Sequence, residues 1–365
     1  MQNLIRWPSI EQFRNVVKNV QHKVRFSGLD DNGNAIFDTS AKLPTLHFEG
    51  TVKLHGTNSS VAQSHDGDMW YQSRENIITP ERDNAGFAMF AIANEFAFRD
   101  LMCTARCIAR DAIADSLKQD IVVWGEWCGK GIQKGVAISE LPKMFVIFGV
   151  AFVDEEGNKT YFTRQQIVDT IDGCREYVLR PTGKIPEESC IYCIYDFPCF
   201  QLDIDFENPH AVQNKLNQLT LSVEEECPVG AAFGVNATGE GIVWRCTDEN
   251  YNNSGFWFKV KGEKHSNSKV KILATIDVEK INNLKDLAAR LAHNGRLEQA
   301  AQIIFDTLNG GEVDIKKTGD MIRWVMSDII KEDVNIIAAS GFTFKELGPS
   351  VAKRVRDFVM KKMEM

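Results

Sequence analysis

The chain repeatedly sets a charged residue inside, or at the edge of, a run of β-forming residues. In order come Lys53 in "TVKLHGTN", Arg74 after "MWYQS", Glu126 in "DIVVWGEWCG", Glu240 before "GIVWRC", and Lys259 and Lys261 in "GFWFKVKG". An unpaired charge in an apolar layer is expensive. These charges therefore need either a large ion network or one shared anionic ligand with a metal, which satisfies them together. A fold that meets this demand must bring strands from distant parts of the chain to one cleft.

At 365 residues the chain is long enough for two domains. Strand-like runs alternate irregularly with helical ones and no βαβ repeat is present, so the expected class is α+β, antiparallel sheets with flanking helices. A first helix is expected over "SIEQFRNVVKNVQHK", where Phe13, Val16, Val17 and Val20 are helically spaced, with Ser9 as N-cap and Glu11 in the first turn. "VRFSGLDDNGNAIFD" reads as a hairpin or edge loop. Residues 84–118 read as helical, as does a stretch near 209–225 that opens with Pro209. From about residue 276 four amphipathic helices follow, the first two closed by glycines. The expected division is 1–268 and an all-helical 269–365.

Composition narrows the function classes. A net charge of −8 argues against a protein that coats nucleic acid non-specifically, although local basic patches occur at 258–271 and in "KRVRDFVMKK". The nine cysteines have no framework spacing and read as reduced thiols; "CIYCIYDFPC" (Cys190, Cys193, Cys199) reads as strand rather than zinc site. No apolar run is long enough to span a bilayer and the N-terminus lacks a secretion signal, so a cytoplasmic setting is the expectation.

The ordered set, rather than any single residue, carries a resemblance. "KLHGTN" (53–58) resembles the lysine motif of the covalent nucleotidyltransferases in the form found in the RNA ligase 2 family, which includes phage RNA ligases and RNA-editing ligases. "SRENI" with Arg74, "WGEW" with Glu126, "FVIFGV" with Phe148, "EGIVW" with Glu240 and "FKVKG" with Lys259 and Lys261 resemble the motifs that follow it, in order, over about residues 50–265. The resemblance implies a nucleotidyltransferase fold with a small helical tail. It implies an enzyme that uses ATP and Mg²⁺ or Mn²⁺, attaches AMP to Lys53, passes it to a 5′-phosphate RNA end and seals that end to a 3′-hydroxyl. Nicks in duplex RNA or an RNA/DNA hybrid are the implied substrate, and a monomer the implied state.

Residue roles come from the same source. A lysine is a nucleophile only when unprotonated, and Lys259, Lys261 and the metal are implied to favour that form. Glu240 is implied to hold the metal, Glu126 the ribose hydroxyls and Phe148 the adenine, with Phe145 as the alternative ring. Arg74 and Asn58 are implied to contact the nucleotide or the 5′-phosphate, and His55 to orient phosphates. Gly56 lets the backbone approach the ligand. Two positions depart from the family pattern: Val52 stands where many relatives have glutamate, and Gly149 where an acidic residue is common. A capping-type guanylyltransferase is the competing enzyme, and an inactive RNA-end-binding relative the competing non-enzyme. The helical rather than OB-like sequence after Lys261, and His55 in place of aspartate, favour the ligase.

Overall fold

The computed structural model describes residues 2–30, 33–110, 116–262, 284–307, 311–340 and 342–363. It forms two compact units, Met1–Gly262 and Glu263–Met365. The boundary expected at 268/269 and the basic stretch beyond residue 262 lie outside the described residues.

The first unit opens with α1 (Phe13–Arg25), the hairpin β1 (Phe26–Leu29) and β2 (Ala35–Phe37), then β3 (Thr45–Lys53), β4 (Thr57–Gln63), β5 (Met69–Ser73) and β6 (Ile77–Ile78). Helices α2 (Phe87–Ala93) and α3 (Glu95–Ala109) lead to β7 (Asp120–Cys128), β8 (Met144–Val153) and β9 (Lys159–Tyr161). After α4 (Arg164–Asp172) come β10 (Cys190–Cys193), β11 (Phe200–Asp205), α5 (Gln213–Glu225), α6 (Pro228–Ala231), β12 (Gly241–Cys246) and β13 (Trp257–Lys261). The strands build a four-stranded sheet in the order β11-β3-β12-β13 and a seven-stranded sheet in the order β10-β8-β7-β4-β5-β6, with β9 on β8. The class is α+β, and its long pairings are antiparallel except β8 with β10. Between those two strands the chain has β9 and α4 in which to return, as a parallel pair requires.

Period-two alternation gives each sheet two distinct faces. On the four-stranded sheet three cross-strand rows share one face: Lys53, Gly241 and Lys261; then Thr51, Val243 and Lys259; then Glu49, Arg245 and Trp257. The opposite face presents Phe48, Trp244 and Phe258, against which α1 seats Phe13, 4.9 Å from the Phe258 ring centroid. On the seven-stranded sheet the rows Asn58, Glu126 and Val146, then Ser60, Trp124 and Gly149, share a face. Its other face packs Trp127 and Phe145 on Phe87, Phe90 and Phe98 of α2 and α3. The charged rows of the two sheets thus line one cleft, and the helices cover the backs.

Local departures from the sequence reading have identifiable causes. Ser9 does not cap α1, which starts at Phe13 after an uncapped Gln12. Residues just before the helix are drawn straight instead, since Glu11 N–H donates to Trp257 O (3.2 Å) and Lys259 N–H to Glu11 O (3.0 Å) on the free edge of β13. The helix expected over 84–118 breaks at Asn94, whose side-chain amide donates to Phe90 O (2.8 Å) and competes with the backbone. The helix expected from Pro209 begins at Gln213.

The second unit contains α7 (Leu284–Leu291), α8 (Asn294–Phe305), α9 (Thr318–Ser340) and α10 (Phe344–Met363) around Leu287, Leu297, Met321, Val325, Leu347 and Val355. The glycine stops do not end the first two helices. Gly295 lies inside the first turn of α8, capped by the His293 ring, and α8 stops at Asp306 in the left-handed region (φ 56°). Arg296, 3% exposed, is bound to Asp328 (2.7 Å), Asp333 (2.9 Å) and Leu291 O. Arg296→Ala should strand these acceptors and lower the opening free energy of α8 and α9 by about 3 kcal/mol. Hydrogen exchange on the full chain measures this; unchanged protection would show that the network does not hold the helices together.

Candidate active site

The cleft is built around one carboxylate. Glu240 stands just before β12, beside Gly241, whose cross-strand neighbours on the two sides are Lys53 and Lys261. A Cβ at position 241 would stand 2.1 Å from Val260 O and 2.8 Å from Lys261 Cα, so glycine is what lets β13 come this close to β12. Lys53 Nζ donates to Glu240 Oε2 (2.7 Å), and Lys261 Nζ lies 3.2 Å from Oε1. His55 Nδ1 lies 3.3 Å from Oε2. The Glu240 side chain is 2% exposed. Burial pushes its carboxyl up, but Lys53, Lys261 and His55 outweigh burial and hold it well below the usual carboxylate range.

The turn from β3 to β4 completes this end of the cleft. Gly56 N–H donates to Glu126 Oε1 (2.9 Å). A Cβ at position 56 would stand 2.5 Å from Trp127 O and 2.6 Å from Cys128 Cβ, so only glycine allows this approach. Lys53 Nζ also donates to Leu54 O (3.4 Å). Burial raises the Glu126 carboxyl above its ordinary range; Lys53 opposes this, Glu240 reinforces it, and the Gly56 N–H and His55 oppose it more weakly. Two carboxyl groups of opposite tendency therefore flank Lys53, one held ionised and one held toward its neutral form.

The other expected residues fall at stated places. Asn58 is the cross-strand partner of Glu126, on the cleft face. Lys259 occupies the row next to Lys261, on the same face, opposite Val243. Phe148 is the extra residue of a bulge, since Trp124 pairs with Gly149 and Gly125 with Ile147. It packs with the Trp124 group on the cleft face. Phe145 faces the other way, fully buried beside Phe87 (5.0 Å) and Phe98 (5.7 Å). Of the two rings, only Phe148 borders the cleft. Arg74 is not drawn into the cluster; it lies half-exposed in the turn after β5, 3.6 Å from Glu75. Burial pushes the Cys193 thiol up to about 12 and the Cys199 thiol up to about 11, which opposes the thiolate a metal would need.

Two kinds of residue at the cleft escape the sequence reading. Arg245 and Trp257 share its lining face with the lysines, and the period-two alternation through Gly241, Val243 and Arg245 is the signal that points to them. Trp7 enters from an irregular N-terminal segment and meets Phe148, Trp124 and Trp257 with ring centroids 5.1, 5.1 and 5.3 Å away. No periodicity marks it.

No curated protein matches the chain in sequence. Among solved structures, a mutant of the Naegleria gruberi RNA ligase with ATP and Mn aligns at 14% identity and TM-score 0.42, covering 73% of this chain and 58% of that one. The same ligase with PPi aligns at 15% identity and TM-score 0.38, covering 72% and 59%. The present chain thus spans under two thirds of the Naegleria protein. The model of the RNA ligase family matches residues 46–261, from β3 to the last residue of β13, and so takes in both sheets and the whole Lys53–Glu240–Lys261 cluster. More than half of the chain lies within that match, and the chain belongs to the RNA ligase family.

Proposed function

We propose that this protein is an ATP-dependent RNA ligase that works through a covalent AMP on Lys53. The observation that carries the reading is the buried Glu240 carboxylate shared by Lys53, His55 and Lys261 at the family's lysine motif. Arginine at position 53 would not serve, because its guanidinium does not deprotonate in proteins.

Glu240 is a single hard carboxylate, which suits a magnesium or manganese ion that keeps waters and substrate phosphates as its other ligands, rather than an all-protein cage. Such a metal would supply positive charge to offset the phosphates. Glu240 would hold such a metal with the carboxylate that now meets Lys53 and Lys261. Lys53 Nζ then attacks the α-phosphorus of ATP. A P–N bond forms, the P–O bond to the β-phosphate breaks, pyrophosphate leaves with the electron pair, and the amine gives up its proton. Lys259 and Lys261 offset charge on the transferring group, and His55 orients phosphates. Glu126 bonds the ribose hydroxyls, Phe148 stacks on the adenine, and Asn58 and Arg74 contact the nucleotide or the incoming 5′-phosphate.

The AMP passes next to the 5′-phosphate of an RNA strand, giving a 5′–5′ linkage. A neighbouring 3′-hydroxyl attacks the activated phosphate and releases AMP. The substrate we favour is a nick in duplex RNA or an RNA/DNA hybrid, met by a monomer in the cytoplasm. An A-form duplex is recognised by shape and 2′-hydroxyls, so no base-reading element is required.

Labelled ATP followed by denaturing electrophoresis tests the first step. Wild-type protein should retain label, and Lys53→Ala should remain folded, with a lowered unfolding midpoint because Glu240 loses its 2.7 Å partner, and lose the label entirely. Equal labelling of the variant would move the nucleophile elsewhere, and label from GTP but not ATP would make the enzyme a capping-type guanylyltransferase.

The electrostatics make a second prediction. The folded carboxyl of Glu240 is held below its ordinary value of 4.5, so the folded state binds fewer protons than the unfolded one. Its stabilising contribution is complete above that ordinary value and is lost as pH falls through the lowered one. The stability difference between wild type and Glu240→Gln, from urea unfolding, should therefore shrink between about pH 6 and about pH 3. A difference independent of pH would mean that Glu240 is not held ionised.

A further inference from the structure

The cleft runs from the charged row of Lys53, Gly241 and Lys261 to the row of Glu49, Arg245 and Trp257. Beyond its charged end lies a loop outside every motif of the family set. β7 passes from Trp124, which meets the aromatic end through Trp7, to Glu126 and then Cys128. The segment after Cys128 therefore leaves the sheet at the charged end. A Cβ at Gly56 would stand 2.6 Å from Cys128 Cβ, so the turn after Lys53 rests on the root of this loop. Residues 129–139 read "GKGIQKGVAIS", with Lys130 and Lys134 and no acidic residue.

The loop is held in one shape. Its root is pinched: a Cβ at Gly129 would stand 2.5 Å from Pro142 O, and Lys130 N–H donates to Leu141 O (2.8 Å). Ile132, Val136, Ala137 and Ile138 are buried, and Ala137 N–H donates to Thr238 O (2.8 Å), two residues before Glu240. Between these anchors Lys130, Gly131, Lys134 and Gly135 are exposed, and the two glycines turn the chain at positive φ (88° and 79°). Neither the Lys130 nor the Lys134 ammonium has a partner among the described residues. Lys143, where the loop returns to β8, is by contrast engaged and donates to Ala85 O (2.6 Å). The two outward lysines give this rim a local positive potential that the net charge of −8 does not supply.

The order of the chemical steps says which anion meets that rim. In the ligase reading, Lys53 displaces pyrophosphate in line, and the RNA 5′-phosphate then displaces Lys53 from the side that pyrophosphate left. With the base laid toward the aromatic row, that side is the charged end, where the loop begins. A nucleotide triphosphate is met inside the cleft by Lys53, His55, Lys259 and Lys261. An RNA strand continues past its reacting phosphate with a charge at every residue, and exposed lysines at the rim suit those further charges.

We propose that the 129–139 loop is a docking site for RNA backbone, in which Lys130 and Lys134 hold phosphates of the strand that brings the 5′-phosphate. This deepens the ligase reading above and rests on it. Such contacts position a strand without reading its sequence, so the two lysines act on RNA capture and not on AMP attachment.

The test separates the two steps on the full chain. AMP attachment is followed with labelled ATP. Single-turnover sealing is followed with a nicked duplex RNA whose 5′ end is already adenylylated, at several salt concentrations. The double variant Lys130→Ala/Lys134→Ala should keep its unfolding midpoint and its ATP concentration for half-maximal labelling. It should need about tenfold more RNA for half-maximal sealing, with the rate at saturation little changed. The slope of log RNA affinity against log salt should flatten by about 1.4 to 1.8, as two lost phosphate contacts require. Lys130→Arg/Lys134→Arg should restore both readouts. Lys42→Ala, at an exposed lysine before the opposite end of β3, should change neither. Unfolding midpoints identify a double variant that fails to fold, and the single variants then carry the comparison. Unchanged RNA requirement and salt slope in the folded variant would overturn the proposal. A raised ATP requirement with unchanged RNA requirement would place the lysines on the leaving pyrophosphate and overturn it as well. A wild type that takes no label from ATP and seals no adenylylated RNA would instead overturn the ligase reading.

Discussion

Burial alone would drive Glu240 to its neutral form; Lys53, Lys261 and His55 prevent this at 2.7, 3.2 and 3.3 Å. That exchange of charge ties together β3, β12 and β13, the turn after Lys53 and the start of the cleft. In the proposed ligase each partner would also have a counterpart in a nucleotide with its metal: phosphates for the basic side chains, a hard cation for the carboxylate. A cluster whose charges satisfy one another avoids a stranded charge in the buried layer.

Strand periodicity carries this charge layer into an aromatic one. Positions 53, 51 and 49 of β3 share a face, as do 241, 243 and 245 of β12 and 261, 259 and 257 of β13. Two residues along each strand change the chemistry of the row from lysines with a carboxylate to Thr51, Val243 and Lys259. Two more bring Glu49, Arg245 and Trp257. The facing sheet follows the same order, with Glu126 and Asn58 opposite the charged end and Trp124 and Phe148 opposite the aromatic end. The bulge at Phe148 is what turns that ring into the cleft while Phe145 stays in the core.

Much of this is legible in the sequence. Charged residues embedded in β-formers announced a shared cleft, and the α+β class and the existence of most helices followed from periodicity. The misreadings were local and have tertiary causes. Ser9 looked like a cap, but the edge of β13 captured Glu11 and straightened the chain. Asn94 broke a helix that its apolar pattern had carried through. Gly295 looked like a stop, yet His293 caps the following helix around it. Trp7 was invisible for a different reason: its partners come from β7, β8, β12 and β13, and nothing in the sequence near it encodes that meeting. Arg74 shows the converse, a motif position that the chain holds half-exposed beside Glu75 instead of in the cluster.

The most direct test of the account is to find where the nucleotide goes. Protein incubated with ATP and magnesium, digested and mapped by mass spectrometry under conditions that preserve a phosphoramidate, should carry AMP on the peptide that spans Lys53 and on no other lysine. AMP on Lys259, Lys261 or any residue outside the cleft, with the Lys53 peptide unmodified, would contradict it.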